Sequence, residues 1–393
     1  MTQELHGPRI KALCELLGMS RVRLAEGIGA TPSQLSKIES GQQRFPLELA
    51  ASMAALHSIP LEFFSQADPG HENAVPTFRK KARTTALEQK RITRLAREAA
   101  RVFTATSAQA DYRTFEPTTE PDTLDDIEQM AREIRRAARI DDGDPVPNVT
   151  RALERQGIAV INGLDPNAER VQDLSGISLP TRHDRRPLVA IAAQLPGAVA
   201  RFTLAHEAAH HIWDHDLPSP ITSSRDHREL RAHRFAGAFL LPSEAVRQRI
   251  SEGTTLRGYL PLKADYGLSV GAIILRAKTL GVVSEQRAKS LHIQLSSLGW
   301  RDPDLEPVDV PAERPLLLKQ ALARVTSLDA ISLIRYTGLP ASLVHHWLQL
   351  QPASPAAATQ SSVVDLASER QRREQRKSAA GFQDERKEPG RDR

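Results

Sequence analysis

The chain has 393 residues, 40% hydrophobic and 26% charged, with a net charge of +5 and a single cysteine. That length suffices for two or three domains with cores of their own, the lone cysteine excludes an internal disulfide and fits a reducing cytoplasm, and no apolar run approaches the roughly 18 residues that span a membrane. The first ten residues, MTQELHGPRI, lack the apolar core of a secretory signal, and a pI of about 9.4 permits nucleic-acid binding without requiring it.

Residues 1–65 carry a compact helical pattern. Ile10, Leu13, Cys14 and Leu17 recur at the spacing of an amphipathic first helix. Gly18 stops it, and Ser20 caps a second helix with Leu24, Ala25 and Ile28 inward. After the Gly29 turn, Thr31 caps a third helix that has Pro32 in its first position. Leu35 and Ile38 face the core there, while Ser33, Gln34, Ser36 and Lys37 face out. Pro46 and Pro60 open two further helices. Two short helices joined by a glycine turn, the second with a polar outer face, form the helix-turn-helix layout, whose second helix reads base edges in the major groove. Gln34 suits adenine, Lys37 guanine and Ser33 either, while Gln42 and Arg44 are placed for phosphates. Arg21 and Arg23 are weaker phosphate candidates. The plainer alternative is a small helical bundle that binds protein, since residues 1–65 hold six basic and six acidic side chains. The stretch LAEGIGATPSQLSKIESGQQRFPLELAASMAALHSIPLEFF resembles the XRE-type, lambda-repressor-like helix-turn-helix family over Arg9 to Phe64. That resemblance implies DNA binding, often as a dimer on two half-sites.

Residues 69–120 read as a linker with a basic amphipathic helix. Arg79 to Arg101 holds nine Lys or Arg against two Glu, and Ile92, Leu95, Ala99 and Val102 form an apolar stripe. A solvated connecting helix is the favoured reading; a basic face for phosphates or a dimer seam are the sharper ones. Asp122 to Arg139 is a helix and Asn148 to Gln156 a shorter one. Strands are expected at Ile158–Ile161, near Ile177–Leu179 and at Leu188–Ala192, the last as a sheet edge that takes an extended substrate.

Phe202 to His215, FTLAHEAAHHIWDH, contains an H-E-x-x-H on an apolar, Pro- and Gly-free helix. Residues four apart share a helix face, so His206 and His210 can offer imidazoles to one metal ion. Zinc takes such nitrogens at about 2.0–2.1 Å. Glu207, one step round the helix, is placed to take a proton from a water at the metal. A third ligand is available on the next helix, RELRAHRFAGAFLLP: Glu229 completes a His-His-Glu site if that helix crosses the first. His233, one turn later, could orient a ligand. Coincidence and a structural zinc site are the alternatives, but a structural site more often uses Cys.

PVPNVTRALERQGIAVI, RFTLAHEAAHHIWDH and ELRAHRFAGAFLLP together resemble the ImmA/IrrE metallo-endopeptidase family, from about Leu124 to Pro242. The resemblance implies that His206, His210 and Glu229 bind zinc and that Glu207 is the catalytic base. It also implies a zincin-like fold and a protease that cleaves XRE-type repressors. The family often has Gly where Ala209 stands and Asn where His233 stands; neither change removes a ligand or the base. Tyr259 and His227 are candidates for a further transition-state donor.

Residues 246–350 read as a helical C-terminal domain. The segments Tyr266–Ser269 and Tyr336–Leu339 sit between helices as the turn of a helix-turn-helix does; packing helices that cover the protease fold are the favoured reading over DNA contact, and the second segment is also a candidate sensor or partner surface. Residues 351–393 read as a disordered tail. The expected whole is mainly α with a small β-sheet (α+β). A helix-turn-helix bundle fills residues 1–68 and a zincin-like domain residues 121–245. The expected function is a cytoplasmic transcriptional regulator with a zinc endopeptidase on the same chain, acting on double-stranded DNA and on a repressor-type protein or itself. A transcription factor whose zincin-like domain is a non-catalytic sensor or scaffold is the alternative.

Overall fold

Caps and breakers in the sequence shape the helical head. α1 (Pro8–Leu17) starts on proline and ends at Gly18. The Ser20 hydroxyl accepts from the Arg23 amide at the start of α2 (Arg21–Gly27), and the Thr31 hydroxyl accepts from the Gln34 amide at the start of α3 (Pro32–Glu39). α4 (Leu47–His57) and a 3-10 turn, Leu61–Ser65, close the bundle over Ile10, Leu13, Leu24, Leu35, Ile38, Phe63 and Phe64. The computed structural model describes residues 4–66, 75–80, 85–107, 121, 123–168, 174–179, 187–214, 217–221, 223–324 and 330–349. The expected tail from 351 and residues 108–120 of the expected linker lie outside them.

The body is a four-stranded sheet clasped by helices, in the order β1-β3-β4-β2. β1 (Thr77–Lys80) pairs antiparallel with β3 (Leu174–Ser178), β3 antiparallel with β4 (Leu188–Ile191), and β4 parallel with β2 (Ala159–Asn162). The strand at 188–191 is therefore interior, not the expected edge. Its four side chains are all buried, and both of its backbone edges are bonded to neighbouring strands. On that side β4 borders β3, and β1, from a segment read as linker, covers the far edge of β3.

α5 (Ala86–Ser107) overturns the solvated connecting helix. It lies between α1 of the head and strands β3 and β4. Its stripe of Ile92, Leu95, Ala99 and Val102 is buried within the chain, so it is not a free dimer seam. Its arginines are engaged internally: Arg94 donates to Glu15, Arg101 to Glu98, and Arg91 to Asp165. Those charges are not available to phosphates. The apolar stripe drew the helix inward, and acidic partners, Glu98 on the same helix and Glu15 and Asp165 elsewhere, made burial of its cations tolerable.

α6 (Leu124–Ala137) begins with a capping box between Thr123 and Asp126, and α7 (Val149–Glu154) is capped by Asn148. Then come α8 (Gly197–Trp213) and α9 (His227–Leu240), packed against one another. α10 (Ser243–Arg249), a 3-10 turn at Leu256–Tyr259, α11 (Leu260–Tyr266), α12 (Val270–Thr279) and α13 (Glu285–Ser297) share one apolar core with them. α14 (Leu317–Arg324), α15 (Ala330–Thr337) and α16 (Ala341–Trp347) return to the sheet and the head. Trp347 Nε1 donates to the Leu164 carbonyl at 2.9 Å, and Arg101 donates to the Thr337 carbonyl at 2.6 Å. At the turn between α15 and α16, Gly338 has φ +66°, and a Cβ there would stand 2.3 Å from the Phe63 nitrogen. Both helix-turn segments, Tyr266–Ser269 and Tyr336–Leu339, are thus packing turns, as expected. Among the described residues no helix is long and apolar enough to cross a membrane.

Candidate metal centre

α8 is buried along nearly its whole length, which fixes the rotation of its histidines. Arg201 anchors its first half to Glu313 and to the carbonyls of Val146 and Tyr266. His211 Nε2 lies 3.0 Å from the Leu188 carbonyl and ties the helix to β4. Ala205, Ala208 and Ala209 of α8 and Ala232 and Ala236 of α9 are all buried small residues. α8 and α9 pack against one another, and Trp213 meets Phe235 edge-on at 5.3 Å.

This packing brings the expected trio together. His206 Nε2 and His210 Nε2 are 3.3 Å apart, and the Glu229 carboxylate oxygens lie 3.2 and 3.5 Å from them. All three ligand atoms fall within 4.8 Å of one another. The donor set fits a divalent cation: two imidazole nitrogens and a carboxylate converge, with Glu207 and Asp214 adding negative charge around them. Burial alone would lower the basicity of His210, but Asp214, Glu229 and Glu207 outweigh it and raise its pKa to about 10. Burial pushes the Glu229 carboxyl up, yet the two imidazoles hold it down at about 2.

Glu207 is fully buried, and loss of water raises its pKa to about 7 against the opposing pull of His210. Its Oε2 lies 3.1 Å from both Thr77 Oγ1 and Ser178 Oγ, which are 2.6 Å from each other. Two hydroxyl protons therefore serve three short contacts. Glu207 Oε1 has no hydrogen-bond partner among the described residues. Gly176 of β3 makes the room: a Cβ there would lie 2.6 Å from Thr203 Cγ2 and 3.0 Å from Glu207 Cγ.

The ligand support comes from a residue the sequence reading passed over. Asp214 Oδ2 lies 2.6 Å from His210 Nδ1, and its other oxygen accepts from Arg231. Asp214 stands four residues after His210, the spacing at which helix side chains meet, and that was the available signal. His233 lies beside Phe202, with ring centroids 4.8 Å apart, and 6.4 Å from the His206 ring. Of the suggested further donors, Tyr259 is buried in the core and His227 is exposed beside Asp226. Thr77 and Ser178 were unreadable because their approach to Glu207 depends on β1 pairing with β3.

On the head, Ser33, Lys37, Gln42 and Arg44 are exposed and Gln34 is half-buried, while Leu35 and Ile38 hold α3 to the core. Arg21 is committed to Glu39 through two hydrogen bonds of 2.9 and 2.6 Å.

Residues 10–64 match the helix-turn-helix family, and residues 154–278 match the family described as the IrrE N-terminal-like domain. The second match runs from the end of α7 through α12 and contains all of the metal-centre residues on α8 and α9. Two curated relatives, uncharacterized HTH-type transcriptional regulators of Sinorhizobium medicae (strain WSM419) and Rhizobium meliloti (strain 1021), are each 33% identical over 64 residues, 16% of this chain and 46% of theirs. The chain thus spans about half the length of the curated relatives it matches. No solved structure matches the chain significantly.

Proposed function

We propose that this chain, which carries an XRE-type helix-turn-helix domain followed by an IrrE N-terminal-like domain, is a cytoplasmic DNA-binding regulator whose second domain is a zinc-dependent endopeptidase. The observation that carries the peptidase reading is the convergence of His206, His210 and Glu229 within 4.8 Å, beside a buried Glu207 with one unpartnered oxygen. The zincin-like body that holds them is taken as one domain, and the head, residues 1–68, as another.

His206, His210 and Glu229 would hold a zinc ion, and Asp214, bonded to His210 Nδ1, would fix the tautomer and tilt of that imidazole. When bound, zinc supplies a Lewis acid that polarises the scissile carbonyl and makes water more acidic. Glu207 takes the proton of the attacking water and delivers it to the departing amine nitrogen. Its buried setting keeps the carboxylate undersolvated and therefore more basic than an exposed one. The substrate is an extended segment of a protein, of repressor type. On the head, Ser33, Gln34 and Lys37 address base edges and Gln42 and Arg44 the phosphates, with two copies of the chain on paired half-sites.

Zinc content and proteolysis test this reading together. The wild type should bind about one zinc ion per chain. His206→Ala and Glu229→Ala should lose it, while Glu207→Gln should keep it and lose cleavage of cellular repressors as read by N-terminal peptide profiling. A wild type that takes up no zinc, or cleavage that survives Glu207→Gln, sinks the enzyme reading.

A further inference from the structure

We propose that β1 is a built-in cover: it occupies the β3 edge in the manner of an extended substrate and keeps Glu207 out of reach until it is displaced. The inference rests on the peptidase reading above. β1 runs antiparallel along β3, with Thr77 opposite Ser178, Phe78 opposite Ile177 and Arg79 opposite Gly176. This is how an extended peptide adds to a sheet edge, with main-chain hydrogen bonds supplying affinity.

The register places this added strand on the chemistry. Thr77 is fully buried, and its hydroxyl lies 3.1 Å from Glu207 Oε2. Gly176 lets Glu207 lie close against β3, and a foreign main chain that paired with β3 opposite Ser178 would need the place that Thr77 holds beside Glu207. β1 and such a segment exclude one another.

β1 is also built to be removable. It is four residues long and joined to the sheet on one side only. Its release breaks one ladder and leaves β3, β4 and β2 paired. In the chain it stands between the helix-turn-helix domain, 10–64, and α5. The cover is carried by the stretch that joins the DNA-binding head to the body.

The test uses the full chain in a Glu207→Gln background, loaded with zinc, and a fluorescein-labelled peptide of residues 75–80, VPTFRK. Adjacent residues of an antiparallel strand alternate between bonded and unbonded pairs. Replacing both Phe78 and Arg79 by proline therefore removes at least one ladder donor. Phe78→Pro with Arg79→Pro should bind the peptide at least about tenfold more tightly than the parent. A second variant works in the opposite direction. Thr77→Cys with Ser178→Cys, at positions whose hydroxyl oxygens are 2.6 Å apart, clamps β1 when oxidised. It should bind the peptide more weakly than the parent and recover on reduction. Equal peptide binding by parent, proline variant and clamp, with unchanged circular dichroism, overturns the proposal. Scission between Val75 and Lys80 by the zinc-loaded wild type also overturns it, because β1 would then be substrate. If release raises peptide binding but the zinc-loaded protein with Glu207 intact hydrolyses nothing, the cover stands and the peptidase reading falls.

Discussion

Arg9 Nη1 donates to Glu98 Oε1 at 2.7 Å, and both side chains are shielded from water. The pair joins the first helix of the helix-turn-helix head to α5, the helix that backs the sheet. Glu98 also receives Arg101 at 2.6 Å and has Arg94 at 3.7 Å. Head and body are therefore connected by a buried charge cluster, with one carboxylate serving several guanidinium groups.

Removing that carboxylate strands buried cations, so Glu98→Ala should destabilise the chain by about 3–5 kcal/mol, measured by urea denaturation at neutral pH. The same group sets an acid limit. Burial pushes the Glu98 carboxyl up, but Arg9, Arg101 and Arg94 hold it at about 2, below its ordinary 4.5. The folded value is the lower one, so its stabilisation is full above pH 4.5 and is lost as pH falls from there toward 2. Denaturation midpoints should drop through this window in the wild type and less steeply in Glu98→Gln. Parallel curves for the two proteins would contradict the assignment.

Asp214 is expected to matter through His210. Asp214→Asn keeps the shape but loses the charge that holds the imidazole. Zinc affinity should fall about 10–100-fold, read by competition with a chromogenic chelator. Unchanged affinity would place the support elsewhere.

Gly176 should accept no side chain. A Cβ there would press on Thr203 and Glu207, so Gly176→Ala should cost about 1–3 kcal/mol of stability. It should also lower proteolysis with zinc content unchanged. Thermal unfolding and metal analysis of the same sample separate those effects.

The exposed face of α3 should carry sequence recognition. Gln34→Ala with Lys37→Ala should remove about 1–3 kcal/mol of discrimination per contact, measured by anisotropy on a DNA site selected with the wild type. Arg21→Ala, a residue already bonded to Glu39, should leave the affinity nearly unchanged. Normal site selection by the double variant would refute the assignment of α3.

The sequence by itself determined the elements whose signals are local. Ser20 and Thr31 each accept from a backbone amide at the helix starts they were expected to cap. His206 and His210 share a face because the helix period puts them there, and Asp214 was within reach of the same rule. What the tertiary structure decided were relations between distant segments. The run at 188–191 is apolar throughout, and such a run does not say whether a strand is interior or an edge. Only pairing with β2 and β3 made it interior. The cations of α5 read as solvated until Glu15 and Asp165, from distant segments, came to meet Arg94 and Arg91. Thr77, 130 residues from Glu207 in the chain, reaches it solely because β1 adds to β3. Helix starts and helix faces follow from a few neighbouring residues, whereas strand partners and buried ion pairs are selected by the closed, packed fold.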